Sequence, residues 1–234
     1  MKNAQLAALA EKPFFRRFPF YVWVCLAAMY LIQIPAFSGT QLFLRFLPTT
    51  HDLTTALDRA IPFDPRWIVV YYLAFVSWPL TGMLIISESK PRGYRYAAVY
   101  ILALAISAAI FLIYPCTMER GQLEGKGLFT QWVRFTYWMD NPVNLLPSLH
   151  VLFSYFCWRG TWGCRRIPRW YKWFNFFFFL LVCCSVVLVK QHVLADIPSA
   201  ILVGELSLQL GRLLRLERIP FAIERVWQNR IKEA

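Results

Sequence analysis

The residues with most chemical capacity in this chain fall in two short clusters. Asn144-Leu-Leu-Pro147-Ser148-Leu149-His150 ends on one histidine, and Lys190-Gln191-His192-Val-Leu-Ala-Asp196 carries another. A carboxylate four residues beyond a histidine can bind one ring nitrogen, set the tautomer and leave the other as nucleophile or base. On a helix that spacing puts both side chains on one face. The same spacing also suits a purely structural hydrogen bond. In the first cluster, a helix start offers free backbone N–H groups to an anion, and Ser148 adds a hydroxyl. His150 is then a candidate general acid for a leaving oxygen; the plain alternative is that Ser148 only caps and His150 only packs. Arg120 and Lys190 supply cations, the first able to grip phosphate bidentately and the second as a point charge. Phosphoryl transfer needs such positioning and charge neutralisation above all. Interfacial Arg and Lys also snorkel to lipid headgroups, so it is their coincidence with the histidines that points to phosphate.

A metal is not expected. The chain has three histidines, His51, His150 and His192, and no carboxylate cluster at ligand spacing. A zinc site built from His150, His192 and Asp196 is the minor alternative. No cofactor is implied. The six cysteines show no CxxC spacing and read as small hydrophobes packed in apolar segments.

The elements that must position these residues are membrane helices. The 234 residues are 58% hydrophobic and 18% aromatic, with mean hydropathy +0.44. Soluble domains hold roughly 45–50% apolar residues, so this chain belongs to the membrane class. A bilayer core of about 30 Å needs roughly 20 apolar helical residues. Runs at 20–37, 67–86, 96–115, 147–163, 173–189 and 193–211 predict an all-α membrane protein, a six-transmembrane-helix bundle with interfacial helices. It reads as a single domain over 1–234, with its core at about 65–211. Residues 128–140 predict an interfacial helix and 212–231 a basic amphipathic one, while 38–66 lie along the outer surface. Glu205, inside the sixth run, reads as a bundle-facing hydrogen-bonding residue.

The net charge of +12 resides in the loops between these runs. That favours lipid headgroups over nucleic acid, for which no binding module is present. Segments 1–19, 87–95, 159–172 and 212–234 carry 18 of the 25 basic residues, and the alternate segments carry seven. Strict alternation is what the positive-inside rule produces when six spans leave both termini in the cytoplasm. Both histidines then face the periplasmic, extracytoplasmic or lumenal side. No cleavable signal peptide is expected, since residues 1–19 are too long and mixed and no A-x-A site follows the first run.

With these residues in place, the chain resembles the type 2 phosphatidic acid phosphatase superfamily. The resemblance rests on Pro147-Ser148-Leu149-His150 and on His192 with Asp196, each at the start of an expected span. Within the superfamily it is most similar to the inositol-phosphorylceramide-synthase-like branch. It matches that branch at Asn144 to His150, at Lys190 to Asp196, and at Tyr114, Pro115 and Thr117. The resemblance implies that His192 is a nucleophile forming a phosphohistidine, that Asp196 orients it, and that His150 is the acid releasing the lipid alcohol, without metal. The family's first signature, a Lys followed seven residues later by Arg-Pro, is missing; Arg120 is the substitute, ahead of Lys126. Leu149 stands in place of the usual Gly, and Val186 where an Arg is common, so Lys190 is expected to take over phosphate binding with Arg120, Ser148 and Asn144. The expected activity is that of a membrane lipid phosphatase or headgroup phosphotransferase. Its substrate is a phospholipid or polyprenyl (di)phosphate, with water or an alcohol as acceptor. The rival expectation is a non-catalytic lipid-phosphate transporter or binding protein, although no paired, Gly/Pro-interrupted helices mark a transport core.

Overall fold

Residues 18–44, 46, 51–121 and 123–233 are described by a computed structural model of the chain. Most of the basic segment 1–19, and Arg45 of the second loop, lie outside the described residues. The first apolar run forms α1 (Phe20–Ile34). Pro35 has no N–H to continue the ladder, and a turn of π-helix follows (Pro35–Gly39) before α2 (Thr40–Leu44) resumes. The Thr40 hydroxyl donates to the carbonyls of Ala36 and Phe37 at the end of the π-turn. A two-residue strand, β1 (His51–Asp52), leads to α3 (Ala56–Ala60), which opens on a Thr55/Asp58 capping box. After a 3-10 turn at Pro65–Trp67 come α4 (Ile68–Ser87) and α5 (Lys90–Ile113). The strand β2 (Cys116–Thr117) pairs in parallel with β1, His51 opposite Cys116. Then follow α6 (Leu128–Met139), α7 (Leu149–Trp162), α8 (Arg169–Leu188), α9 (Asp196–Leu213) and α10 (Arg218–Glu233).

Among the described residues, four helical stretches are long and apolar enough to cross a membrane: Phe20–Leu44, Pro65–Ser87, Lys90–Ile113 and Arg169–Leu188. A fifth is counted if Asp196–Leu213 and Arg218–Arg230, bent by 56°, form one broken span. The chain is therefore a helical protein with several potential membrane helices. Outward-facing Leu73, Val76, Phe177, Leu180 and Leu181 give α4 and α8 apolar exteriors, as lipid contact requires.

The run at 147–163 becomes the 14-residue α7, shorter than a typical span. Ten of its residues are buried, so it is the central helix of the bundle. It packs on α8, α4, α9 and α5. Trp78 Nε1 donates to Ser154 Oγ at 2.9 Å, and Tyr100 stacks on Phe153 with centroids 4.5 Å apart. The third run begins at Lys90 rather than 96, because its charged first turns are paired. Lys90 meets Glu224 at 2.5 Å and Arg95 meets Glu217 at 2.7 Å, which docks α10 on α5. The tight α4–α5 link needs Gly93, where a Cβ would lie 2.6 Å from the Ile86 carbonyl oxygen. Glu205 accepts from Arg159 Nε at 2.7 Å and from the Tyr155 hydroxyl, as a bundle-facing acceptor should. All six cysteines are free, four of them buried.

Candidate active site

The turn between α8 and α9 fixes the position of His192. The N–H of Gln191 reaches back to the Val186 carbonyl at 2.9 Å and that of Lys190 to Val187 at 3.3 Å. This pairing is a Schellman closure of α8, whose left-handed residue is ordinarily glycine. Here it is Lys190, at φ 53°. A side chain in that region is strained and persists only when other contacts hold it. Those contacts run from Lys190 Nζ to the carbonyls of Asp58 and Ile61, at 2.7 and 2.6 Å. The ammonium expected to hold phosphate is thus largely occupied with the outer loop. Burial lowers its pKa, with nearby Asp58 opposing.

His192 lies in this turn and Asp196 is the first residue of α9. The two are not stacked on one helix face, as the spacing alone suggests. They meet because the carboxylate caps the turn: Asp196 Oδ2 accepts the Val193 N–H at 3.1 Å and lies 2.9 Å from His192 Nδ1. Asp196 is fully buried. Nδ1 is therefore committed to the carboxylate, and Nε2 remains as the reactive nitrogen.

His150 stands one residue inside α7. Ser148 is the N-cap, its hydroxyl accepting the Val151 N–H at 3.4 Å, and its own N–H donates to the Asp196 carbonyl. That bond ties the start of α7 to the start of α9. Ser148 is buried and engaged as a cap, so the plain reading of this residue accounts for its contacts. The His150 ring stacks on Tyr71 at 3.9 Å and meets Phe75 and Trp78 edge-on. Its centroid is 6.4 Å from that of His192, and its Nε2 is buried with no partner among the described residues.

Arg120 reaches the same place from the β2–α6 loop. Nη1 donates to the Asp140 carbonyl at 2.6 Å, Nη2 donates to Gln191 Oε1, and the guanidinium lies 4.4 Å over the Tyr137 ring. Its Nε is buried without a partner among the described residues. Burial pulls the Arg120 pKa down. It pushes that of Asp140 up, against the pull of Arg120 and His192. Asn144 donates to Phe37 O at 3.3 Å and to Thr40 Oγ1 at 3.5 Å, linking the α7 entry to the π-turn.

Two spaces touch His192. One, of about 10 Å³, is lined by Asp140, Asn144, Leu149, His150 and Gln191 among others. The second, of about 270 Å³, is lined by Asp58, Arg59, Glu119, Tyr137 and Lys190 beside apolar Ile61, Phe63 and Leu123. Arg120, Asn144, His150, His192 and Asp196 thus converge, with Lys190 on the wall of the larger space beside His192, while Ser148 caps α7. Asp58, Tyr71, Asp140 and Gln191 belong to the site without having been singled out. Of these only Gln191 carried a signal, its place beside His192. Among the described residues no three His, Cys, Asp or Glu side chains are arranged to hold a metal ion. No protein-family model, curated protein or solved structure matches the chain.

Proposed function

We propose that the chain is an integral membrane lipid phosphatase or headgroup phosphotransferase of the type 2 phosphatidic acid phosphatase kind. In this reading six helices cross the bilayer, both termini are cytoplasmic, and the site opens at the external face. The alternation of basic loops supports that topology. The short α7 is compatible with a crossing because protein surrounds it and lipid does not have to solvate it.

The observation that carries the reading is the His192–Asp196 contact facing His150, with ring centroids 6.4 Å apart. A phosphoryl group at the His192 ring, with one oxygen pointing between the rings, is within reach of both. Nε2 of His192 attacks phosphorus, the N–P bond forming as the P–O bond to the lipid alcohol breaks, and His150 gives that oxygen a proton. In the second step an acceptor O–H returns a proton to His150 while its oxygen takes the phosphoryl group and the N–P bond breaks. Asp196 holds Nδ1 and balances the positive charge that grows on the ring. Arg120 neutralises phosphoryl oxygens. Water as acceptor makes the protein a phosphatase, and an alcohol such as inositol makes it a transferase.

The test is turnover of a panel of phospholipid and polyprenyl phosphates by purified protein, with His192→Ala and His150→Ala alongside. Wild type is expected to release phosphate and to form an acid-labile phosphohistidine that His192→Ala lacks. Equal turnover by wild type and both variants sinks the proposal. Adding inositol or other alcohols to the same assay separates transferase from phosphatase.

A further inference from the structure

Among the described residues, few buried side-chain polar atoms lack a partner, and four of them cluster here. They are Arg120 Nε, His150 Nε2, Gln191 Nε2 and Asp196 Oδ1. Unpaired buried donors are rare in folded proteins and call for an explanation. Gln191 is the most informative, because it is 1% exposed and its amide orientation is determined. Arg120 can only donate, so the Gln191 atom facing it is Oε1 and the free atom is the N–H2 group. Gln191 also lines the space of about 10 Å³ between Asn144, His150 and His192. A water-sized site needs roughly 10–15 Å³ by this kind of measure, so the space admits a single oxygen atom. It does not admit a phosphate or a sugar.

Building on the phosphotransfer reading above, we propose that Gln191 donates from Nε2 to one non-bridging oxygen of the phosphoryl group that His192 receives. That oxygen occupies the small space. The lipid substituent runs into the 270 Å³ cavity that His192 also lines, while the leaving oxygen stays on the His150 side of the phosphorus. His192 lines both, so the phosphorus stands at its ring. Asp140 lines the small space as well; its carboxylate is held by Gln41 at 2.7 Å, and its carbonyl receives Arg120. Arg120 thus has two partners around the pocket and keeps the amide turned, while Gln191 delivers the hydrogen bond.

The experiment compares wild type with Gln191→Glu and Gln191→Met, reading single-turnover phosphoenzyme formation, KM, and the rise in unfolding temperature caused by orthovanadate. Gln191→Glu keeps an oxygen for Arg120 and removes the donor; Gln191→Met keeps the size and adds no charge. Removing one such donor typically slows the chemical step about 10²- to 10³-fold. Both variants are expected to fall in that range with KM nearly unchanged, and to lose the vanadate stabilisation. A wild-type rate in Gln191→Glu reduces Gln191 to an anchor for Arg120, and a wild-type rate in Gln191→Met reduces the effect to charge repulsion; either overturns the proposal. If wild type forms no phosphoenzyme with any lipid phosphate, the phosphotransfer reading itself has failed. The pocket is then judged by vanadate alone. Stabilisation of wild type that both variants lose supports it, and equal shifts or none overturn it.

Discussion

Replacing Asp196 by Asn tests the proposed nucleophile most directly, because the geometry limits how the new side chain can sit. In the native turn, Oδ2 receives two donors, the Val193 N–H at 3.1 Å and His192 Nδ1 at 2.9 Å, whereas Oδ1 is buried without a partner. An amide placed with its oxygen at Oδ2 keeps both hydrogen bonds. Turned the other way, its N–H2 opposes the Val193 N–H, so that orientation is disfavoured and the tautomer of His192 is preserved. What the substitution removes is the negative charge behind the ring. Hydrogen bonds to charged groups contribute about 1.5–3 kcal/mol and neutral ones about 0.5–1.5. The difference, about 1–1.5 kcal/mol, slows phosphoenzyme formation about five- to thirteenfold. Rapid-quench measurement of phosphohistidine formation checks this, with the unfolding midpoint expected to move little because one unpartnered atom replaces another. An unchanged rate refutes the assignment of Asp196 as the group that balances charge on His192. Complete loss of phosphohistidine with unaltered folding refutes the argument that Val193 dictates the amide's orientation.

Two further predictions concern the scaffold. At Asp58, burial pushes the carboxyl pKa up, but hydrogen bonds from Thr55 and the Leu194 N–H, with Lys190 nearby, more than offset it and leave the pKa below the ordinary value of 3.8. A depressed carboxyl stabilises the fold above its unfolded pKa and loses that effect as pH falls through the folded value. Asp58→Asn is therefore expected to lower the unfolding midpoint at pH 7 by about 2–4 °C, for a loss of about 1 kcal/mol. The gap to wild type should close as pH falls below about 4, and a constant gap across pH contradicts the reasoning. Gly93→Ala places a Cβ 2.6 Å from the Ile86 carbonyl oxygen, and backbone cannot swing aside as a side chain can. It is expected to destabilise the protein by about 1–3 kcal/mol; thermal unfolding at wild-type level contradicts the packing.

Much of the architecture was legible because its signals are local. Apolar runs near 20 residues give α1, α4, α5 and α8, with ends that shift by a few residues where caps or ion pairs intervene. The Lys90 and Arg95 turns read as loop because they are charged. They are helical because Glu224 and Glu217, more than 120 residues later, pair with them. Lys190 was legible only in part. A lysine beside a histidine suggests a phosphate ligand, yet Lys190 is the left-handed residue of a Schellman turn, and its ammonium goes to the carbonyls of Asp58 and Ile61. Glycine normally marks such a turn, so the sequence carried no warning. The amphipathic pattern at 128–140 and the basic pattern after 212 did announce α6 and α10, since 3.6-residue periodicity is written along the chain.

That His192 and Asp196 lie within reach of one another was determined by the sequence alone, because four residues of chain span at most about 14 Å. So was the Ser148 cap, which needs only a helix start three residues before the N–H it accepts. The sequence could not say that the pair meets across a turn instead of along a helix, nor that Arg120, Asp140, Gln191 and Tyr71 gather around the histidines. Those contacts close loops of up to about 80 residues, and their geometry depends on how α4, α7, α8 and α9 pack. Side-chain spacing along a chain specifies neighbours within a turn or two; beyond that range, only the mutual burial of helix faces decides which polar groups meet.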